Sequence, residues 1–194
     1  KTAEIAKKYG IKRYILPSSC SIYGFQDGNS IAKEDSKTNP LTHYAKANEM
    51  AEKKILPLAD KNFCVTVLRQ ATVFGYSPRM RFDLAINGMT FGAWSNRSLP
   101  LMRDGDQWRP MIHVNDTSDA IIFILSQDPN NINGEIFNSG SPKNVYQLKP
   151  LAERVAAVVG DDVKIEWYGD KDIRSYNVSF EKIRKLGFHA KLQA

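Results

Sequence analysis

Cysteine is scarce in this chain: Cys20 and Cys64 are the only two among 194 residues, and they form no CxxC pair. That excludes a disulfide-stapled scaffold and a thiolate metal knuckle. The three histidines, His43, His113 and His189, have no metal-ligand spacing, so no metal site is expected. Reduced thiols in a cytoplasmic protein are the simplest reading. The longest apolar run, Ala120 to Leu125, is far shorter than the roughly 20 residues of a membrane-spanning helix. No signal-peptide pattern opens the sequence, and no membrane association is expected. A dense basic block is also lacking. The 27 Lys and Arg are spread along the chain, and the net charge of +6 suits an anionic small molecule rather than nucleic acid. Gly10, Gly24, Gly28, Gly75, Gly88 and Gly92 form no GxGxxG or GxxGxxG pattern after a strand. The small-residue turn that lets a pyrophosphate approach a helix N-terminus is therefore not found.

What is present is the composition of a globular protein, 42% apolar and 25% charged, long enough to bury a sizeable core. Helical patterning over Thr2–Tyr9, stopped by Gly10, runs into a short buried strand at Arg13–Pro17, which reads as the middle of an α/β unit. A long helix is expected from Thr42 to Asp60, bent near Pro57, then a buried strand at Phe63–Leu68. Asp83–Trp94 reads as helix. Ser98–Met102 and Gln107–His113 read as a strand pair around the turn-forming Asp104-Gly105-Asp106. Asn115 or Asp116 would cap a helix reaching Ser126. A strand at Glu135–Asn138, an amphipathic segment at Val145–Val159, a strand at Lys164–Tyr168 and a final helix capped by Ser179 complete the pattern. Strands alternating with helices imply a parallel α/β sheet.

Two separated stretches carry most of the chemical information. Ser18-Ser19-Cys20-Ser21-Ile22-Tyr23-Gly24 comes first; Pro40-Leu41-Thr42-His43-Tyr44-Ala45-Lys46-Ala47-Asn48 follows, with Tyr44 twenty-five residues after Ser19. Together they resemble the active-site stretch of the extended short-chain dehydrogenase/reductases, the NAD-dependent nucleotide-sugar epimerases and dehydratases. The resemblance implies Ser19 as the group that orients a sugar hydroxyl and Tyr44 as the general base. Position 48 is that of the family's lysine. A free phenol titrates near about 10, and the lysine ammonium and the cofactor's positive charge favour tyrosinate. Here Asn48 occupies that position, four residues on and so on the same helical face. It can donate a hydrogen bond to a ribose but carries no charge, and Lys46 points to another side. NAD is the implied cofactor, with Tyr44 and Asn48 as its implied contacts, and a weaker base at neutral pH is expected. Glu52, a further turn along, extends the match.

The residues after Ser19 narrow the reaction. In the family's 4,6-dehydratases an Asp-Glu pair eliminates water; here Cys20 and Ser21 stand there, which disfavours dehydration. Cys20 reads as a packing thiol. Leu68-Arg69-Gln70-Ala71-Thr72-Val73-Phe74-Gly75 is similar to the family's LRxxxVYG segment. Thr72 replaces the substrate-touching Asn of galactose epimerases, so galactose-type specificity is not expected at that contact. Arg79 to Leu84 and Asn87 look like the nucleotide-sugar loop, which makes Arg81 and Asn87 implied substrate contacts. Asp104 to Asp116 resembles GDGxQxRDFIHVxD, whose arginine holds the substrate pyrophosphate; Arg109 matches it, and a guanidinium fork suits phosphate oxygens. His113 reads as a packing residue. Asp172-Ile173-Arg174-Ser175-Tyr176 is similar to a DxRxY segment, implying Arg174 for the second phosphate. Phe137-Asn138-Ser139-Gly140 resembles FNxG, a structural turn.

The resemblance covers essentially the whole chain but begins where the family's fourth helix would lie, leaving about a hundred residues of such a protein without counterpart. The implied fold is α/β: a partial doubly wound parallel (Rossmann-like) sheet lacking its N-terminal Gly-rich half, with a smaller α/β substrate-binding cap. Residues 1–78 would belong to the Rossmann-like part and 79–194 mainly to the cap, with about 110–140 returning to the core. The implied function is NAD-dependent epimerase-like oxidoreductase/isomerase chemistry on a nucleotide-diphosphate sugar through a transient keto-sugar, inactive or impaired in this truncated chain. The alternative is a non-catalytic remnant, kept as a binding or oligomerisation module. A homodimer through helices 42–60 and 83–94 is implied as well.

Overall fold

In chain order the elements are α1 (Thr2–Lys8), β1 (Arg13–Ser19), β2 (Ile31–Ala32), α2 (His43–Ile55), β3 (Cys64–Gln70), β4 (Thr72–Phe74), α3 (Ala85–Asn96) and β5 (Ser98–Met102). There follow β6 (Trp108–His113), α4 (Val114–Ser126), α5 (Pro129–Ile132), β7 (Glu135–Ser139), β8 (Val145–Gln147), α6 (Leu148–Val159), β9 (Lys164–Tyr168), β10 (Asn177–Val178) and α7 (Glu181–Leu186). The structure, a computed structural model, describes residues 1–26 and 30–194, so Gly28, among the glycines considered above, lies outside it.

A parallel sheet of order β1-β3-β7 forms the base of the fold. Its central strand is buried from Cys64 through Arg69, as expected of a strand covered on both faces. Ser19, Gln70 and Ser139 lie in register at the C-terminal ends of the three strands, where open α/β sheets place their ligands. The helix carrying Tyr44 starts cleanly because the Thr42 hydroxyl accepts the Ala45 N–H at 3.1 Å. After β1 the chain turns at Gly24, whose φ of +63° and contact with the Asn39 carbonyl leave no room for a Cβ.

Two apolar clusters hold the chain. One gathers Tyr23, Leu68, Ile112, Ile124, Phe137 and Phe180 around the parallel sheet. The other joins Met89, Ala93, Leu99, Leu101, Leu151 and Ala152, packing α3 and α6 against β5. No helix among the described residues is long and apolar enough to cross a membrane.

The structure corrects several expectations. Ser98–Met102 and Gln107–His113 do not pair. β5 runs parallel to β9, with Leu99 opposite Ile165, while β6 lies between β4 (parallel) and β8 (antiparallel). The Asp104-Gly105-Asp106 turn is held otherwise: the Gly105 carbonyl accepts Lys149 N–H at 2.7 Å, and Asp104 pairs with Lys171 at 2.7 Å. The Val145–Val159 segment divides into β8 and α6. The helix expected to reach Asp60 ends at Ile55, followed by a 3-10 turn containing Pro57, which lacks the donor an α-helix needs. His113, not Asn115 or Asp116, caps α4, through Nδ1 accepting from Asn115 N–H. Asp116 lies within α4, and its carboxylate accepts the backbone N–H groups of Lys191 and Leu192.

Candidate active site

Above the C-terminal strand ends opens a cleft of about 1120 Å³. Ser19, Tyr44, Thr72, Arg81, Asn87, Arg109 and Arg174 all line it, although they come from six separated segments. Asn48 does not.

At one end, the Ser19 hydroxyl accepts the Ser21 N–H at 3.1 Å, capping the 3-10 turn Cys20–Tyr23. Its own proton has no acceptor among the described residues and can be given to a ligand. Ser21 also lines the cleft, and its Oγ is buried without a partner there. Tyr44 is 63% exposed at the cleft edge. One turn along α2, Asn48 donates Nδ2 to the Tyr44 carbonyl at 3.0 Å, a side-chain bond to the i−4 carbonyl.

The next part of the wall is held by polar clamps. Asn87 is buried and uses both ends of its amide: Oδ1 accepts the Gly75 N–H at 3.1 Å, and Nδ2 donates to the Arg81 carbonyl at 3.2 Å. It thus fixes the loop more than it offers a free group. Arg81 forms a bidentate pair with Asp83, both exposed at the rim. That pairing holds the Arg81 pKa above its ordinary value, and Tyr44 pushes it the same way.

Arg109 and Arg174 meet at a single carboxylate. Arg109 is 8% exposed and donates Nη2 to Asp172 Oδ2 at 2.7 Å, while its Nη1 donates to the Trp108 and Arg174 carbonyls. Arg174 grips the same carboxylate through Nε and Nη2, each at 2.8 Å. Burial alone would push the Asp172 carboxyl up, but the Arg174 hydrogen bonds and the Arg109 charge outweigh it and hold it below its ordinary value. Burial pulls the Arg109 pKa down, yet a guanidinium stays charged in proteins. Two cations against one anion leave a net positive site. Of the five N–H groups on each guanidinium, Arg109 keeps two and Arg174 three without an acceptor among the described residues.

Behind the cleft lies a buried polar network that the sequence motifs alone do not disclose. Glu52 on α2 pairs with Arg69 on β3, their side chains 4% and 5% exposed, with Arg69 Nη2 to Oε2 at 2.7 Å. Ser18 donates to Glu52 Oε1 at 2.5 Å, and Arg69 Nη1 donates to Tyr23 Oη at 2.9 Å. Tyr23 donates in turn to Asn138 Oδ1 at 2.8 Å. Burial drives the Tyr23 hydroxyl's pKa well up, so it stays a donor. Ser18, Tyr23, Arg69 and Asn138 lie in the motif segments and Glu52 one turn beyond Asn48, but the motifs do not say that these side chains meet. Cys20 is buried here too, its thiol pushed up by burial and donating to the Arg69 carbonyl, as fits a packing role.

The model of the NAD dependent epimerase/dehydratase family matches residues 2–140. A UDP-glucuronate 4-epimerase of Thermodesulfobacterium geofontis is 26% identical over 94% of this chain and 55% of its own length. UDP-arabinose 4-epimerase 1 of Arabidopsis thaliana is 28% identical over 84% of this chain and 43% of its own. Among solved structures, MoeE5 in complex with UDP-glucuronic acid and NAD superposes with a TM-score of 0.85 at 24% identity, covering 98% of this chain and 63% of that one. A dTDP-glucose 4,6-dehydratase from Bacillus anthracis in complex with NAD gives 0.84 at 23% identity, covering 99% and 61%. These likenesses establish an α/β, Rossmann-like fold with parallel sheets. The chain spans about half the length of the curated relatives it matches. NAD is the cofactor of the family. With 139 of its residues under the family model, the chain belongs to the NAD dependent epimerase/dehydratase family.

Proposed function

We propose that the cleft takes a nucleotide-diphosphate sugar and serves epimerase-like oxidation and re-reduction of a sugar hydroxyl. The observation that carries this is the convergence, in one cleft, of Ser19 and Tyr44 with the Arg109–Asp172–Arg174 cluster. The paired guanidiniums offer five unengaged N–H groups and net positive charge to a diphosphate, which guanidinium forks bind in pairs. Arg81 at the rim is a third contact, reached once it releases Asp83. Thr72 and Asn87 shape the wall between, and Asn87 acts by holding its loop.

Ser19 donates its free proton to the reacting oxygen and orients it, and Tyr44 takes the proton from that hydroxyl. The exposed phenol of Tyr44 fits a ribose hydroxyl and would hold NAD on this side, with Asn48, one turn along the helix beside the cleft, as the second contact that the family match implies. NAD, when bound, supplies the hydride acceptor and donor. Asn48 gives no positive charge to favour tyrosinate, so Tyr44 works as a weaker base than it would beside a lysine. Cys20 and Ser21 supply no acid for dehydration.

A second reading follows from Asn48, whose amide is turned back on its own helix. On it the chain is a binding or oligomerisation module that holds the nucleotide sugar without turning it over. Incubation with NAD and UDP-glucose separates the two: turnover to an epimer that disappears in Tyr44→Phe supports catalysis. UDP-glucose binding with no turnover, and none restored in Asn48→Lys, supports the module.

The cytoplasm remains the proposed compartment, in keeping with two buried free thiols. We also read residues 1–78 and 79–194, with about 110–140 returning to the core, as two lobes; the cluster of Met89, Leu99, Leu101 and Leu151 supports the second lobe, while Tyr176, Phe180 and Phe188 pack into the first cluster. Homodimerisation through α2 and α3 is supported by Met50, 57% exposed, and by Phe91 and Trp94, 46% and 72% exposed.

A further inference from the structure

We propose that Ser18 is a positioning residue: through its hydrogen bond to Glu52 it sets where the Ser19 hydroxyl stands relative to Tyr44. This rests on the catalytic reading of that pair. Ser18 is 2% exposed near the end of β1, directly before Ser19. It borders the cleft, but its proton goes inward. Its Oγ donates to Glu52 Oε1 at 2.5 Å, the length of a hydroxyl bonded to a carboxylate. Glu52 lies on α2 two turns after Tyr44, about 12 Å along the helix axis. Among the described residues this is the one side-chain hydrogen bond between β1 and α2.

Glu52 is a fixed point for that bond, because Arg69 donates to both of its oxygens. The same guanidinium donates to Tyr23 Oη, whose own proton goes to Asn138. Tyr23 ends the 3-10 turn that Ser19 caps. The stretch from Ser18 to Tyr23 is thus tied at both ends to one buried ion pair, with Ser19 between the ties. The ladder to β3 fixes β1 within the sheet, but it does not reach α2. Satisfying the carboxylate does not account for the hydroxyl either: without it, Oε1 keeps Arg69 Nε at 3.1 Å. What the hydroxyl adds is direction, which apolar packing lacks. Displacing one reacting group by about 1 Å can cost roughly 100-fold in rate, so a directed tie between the two elements matters to the chemistry.

The test compares Ser18→Ala with Thr66→Ala in the 194-residue chain, supplied with NAD and UDP-glucose. Thr66 is 1% exposed, lies outside the cleft lining and donates to the Ile132 carbonyl at 2.9 Å, so each variant loses one buried hydroxyl bond. Well below either Tm, Ser18→Ala should lower kcat roughly 10- to 100-fold with KM within about 2-fold, and Thr66→Ala should leave both unchanged. An unchanged kcat in Ser18→Ala, a loss that appears in KM instead, or an equal loss in the two variants overturns the proposal. A second readout needs no turnover. The ring resonances of Tyr44, which stands on a different element from either substitution, should shift in Ser18→Ala and stay in place in Thr66→Ala. Unmoved Tyr44 resonances in Ser18→Ala overturn the proposal whether or not the chain is active. Absence of turnover by the wild type fails the catalytic reading alone, and the Tyr44 resonances then decide whether Ser18 sets this geometry.

Discussion

Removing one partner of the Glu52–Arg69 pair is expected to destabilise the fold more than any change on the cleft surface. The guanidinium touches both carboxylate oxygens, with Nε at 3.1 and 3.2 Å and Nη2 at 2.7 Å, and both side chains are about 95% buried. In Glu52→Leu that charge is left inside the protein with only neutral acceptors, Tyr23 Oη and the Glu34 carbonyl, both at 2.9 Å. Breaking a buried pair from one side costs roughly 3–5 kcal/mol, out of a total stability of about 5–15. At this chain length that corresponds to a fall of roughly 6–20 °C in Tm. Arg69→Met strands the carboxylate instead, with Ser18 Oγ, at 2.5 Å, as its remaining side-chain donor. The double variant removes both charges, so it should cost about 2 kcal/mol or more less than the sum of the singles. Urea unfolding followed by circular dichroism measures all three, with the m-value checked for constancy. Singles that lose less than about 1 kcal/mol, or a double that loses the full sum, would refute the argument that buried charge complementarity joins α2 to the sheet.

Acid sensitivity should trace partly to Asp172. Its folded pKa is below its ordinary value, so its contribution is fully present above the unfolded pKa of about 4 and is lost as pH falls through the lower folded value. Asp172→Asn should therefore flatten the loss of stability below about pH 4, as read from Tm against pH; an unchanged acid limb contradicts the pairing. At Gly75, φ is +105° and a Cβ would collide with the His113 ring, whereas at Gly10, with φ of +76°, nothing lies within 4 Å. Gly75→Ala should thus cost at least about 1 kcal/mol more than Gly10→Ala in denaturant unfolding, and equal costs would remove the steric argument. For the proposed dimer, Trp94→Glu should shift the sedimentation coefficient toward the monomer value at a fixed concentration, and no change would exclude α3 from an interface.

How much could be read from sequence depended on whether a feature is local. Tyr44 on a helix, Ser19 at a strand end and Arg109 on a strand follow from period and spacing, and all three line one cleft. The β5–β6 hairpin failed because Asp104-Gly105-Asp106 makes a turn without stating which strands it serves. β5 finds β9 more than sixty residues later, and periodicity names no partner. β4 and β8, three residues each, are too short to show an alternation. Gln107 stands at the glutamine of the GDGxQxR match, but that its amide Nε2 goes unpaired among the described residues is a property of its surroundings and not of the motif. Arg69 and Glu52 were visible in or beside the motifs, but a charged pair only 5% and 4% exposed is opposite to what such residues usually do.

The most direct test of the central claim is the affinity of UDP-glucose for the wild-type chain and for Arg109→Met, measured by isothermal titration. Loss of charge-assisted hydrogen bonds to a diphosphate predicts saturable one-site binding that weakens roughly 10- to 150-fold in the variant. Equal affinity in the two proteins, or no binding by the wild type, would contradict the account.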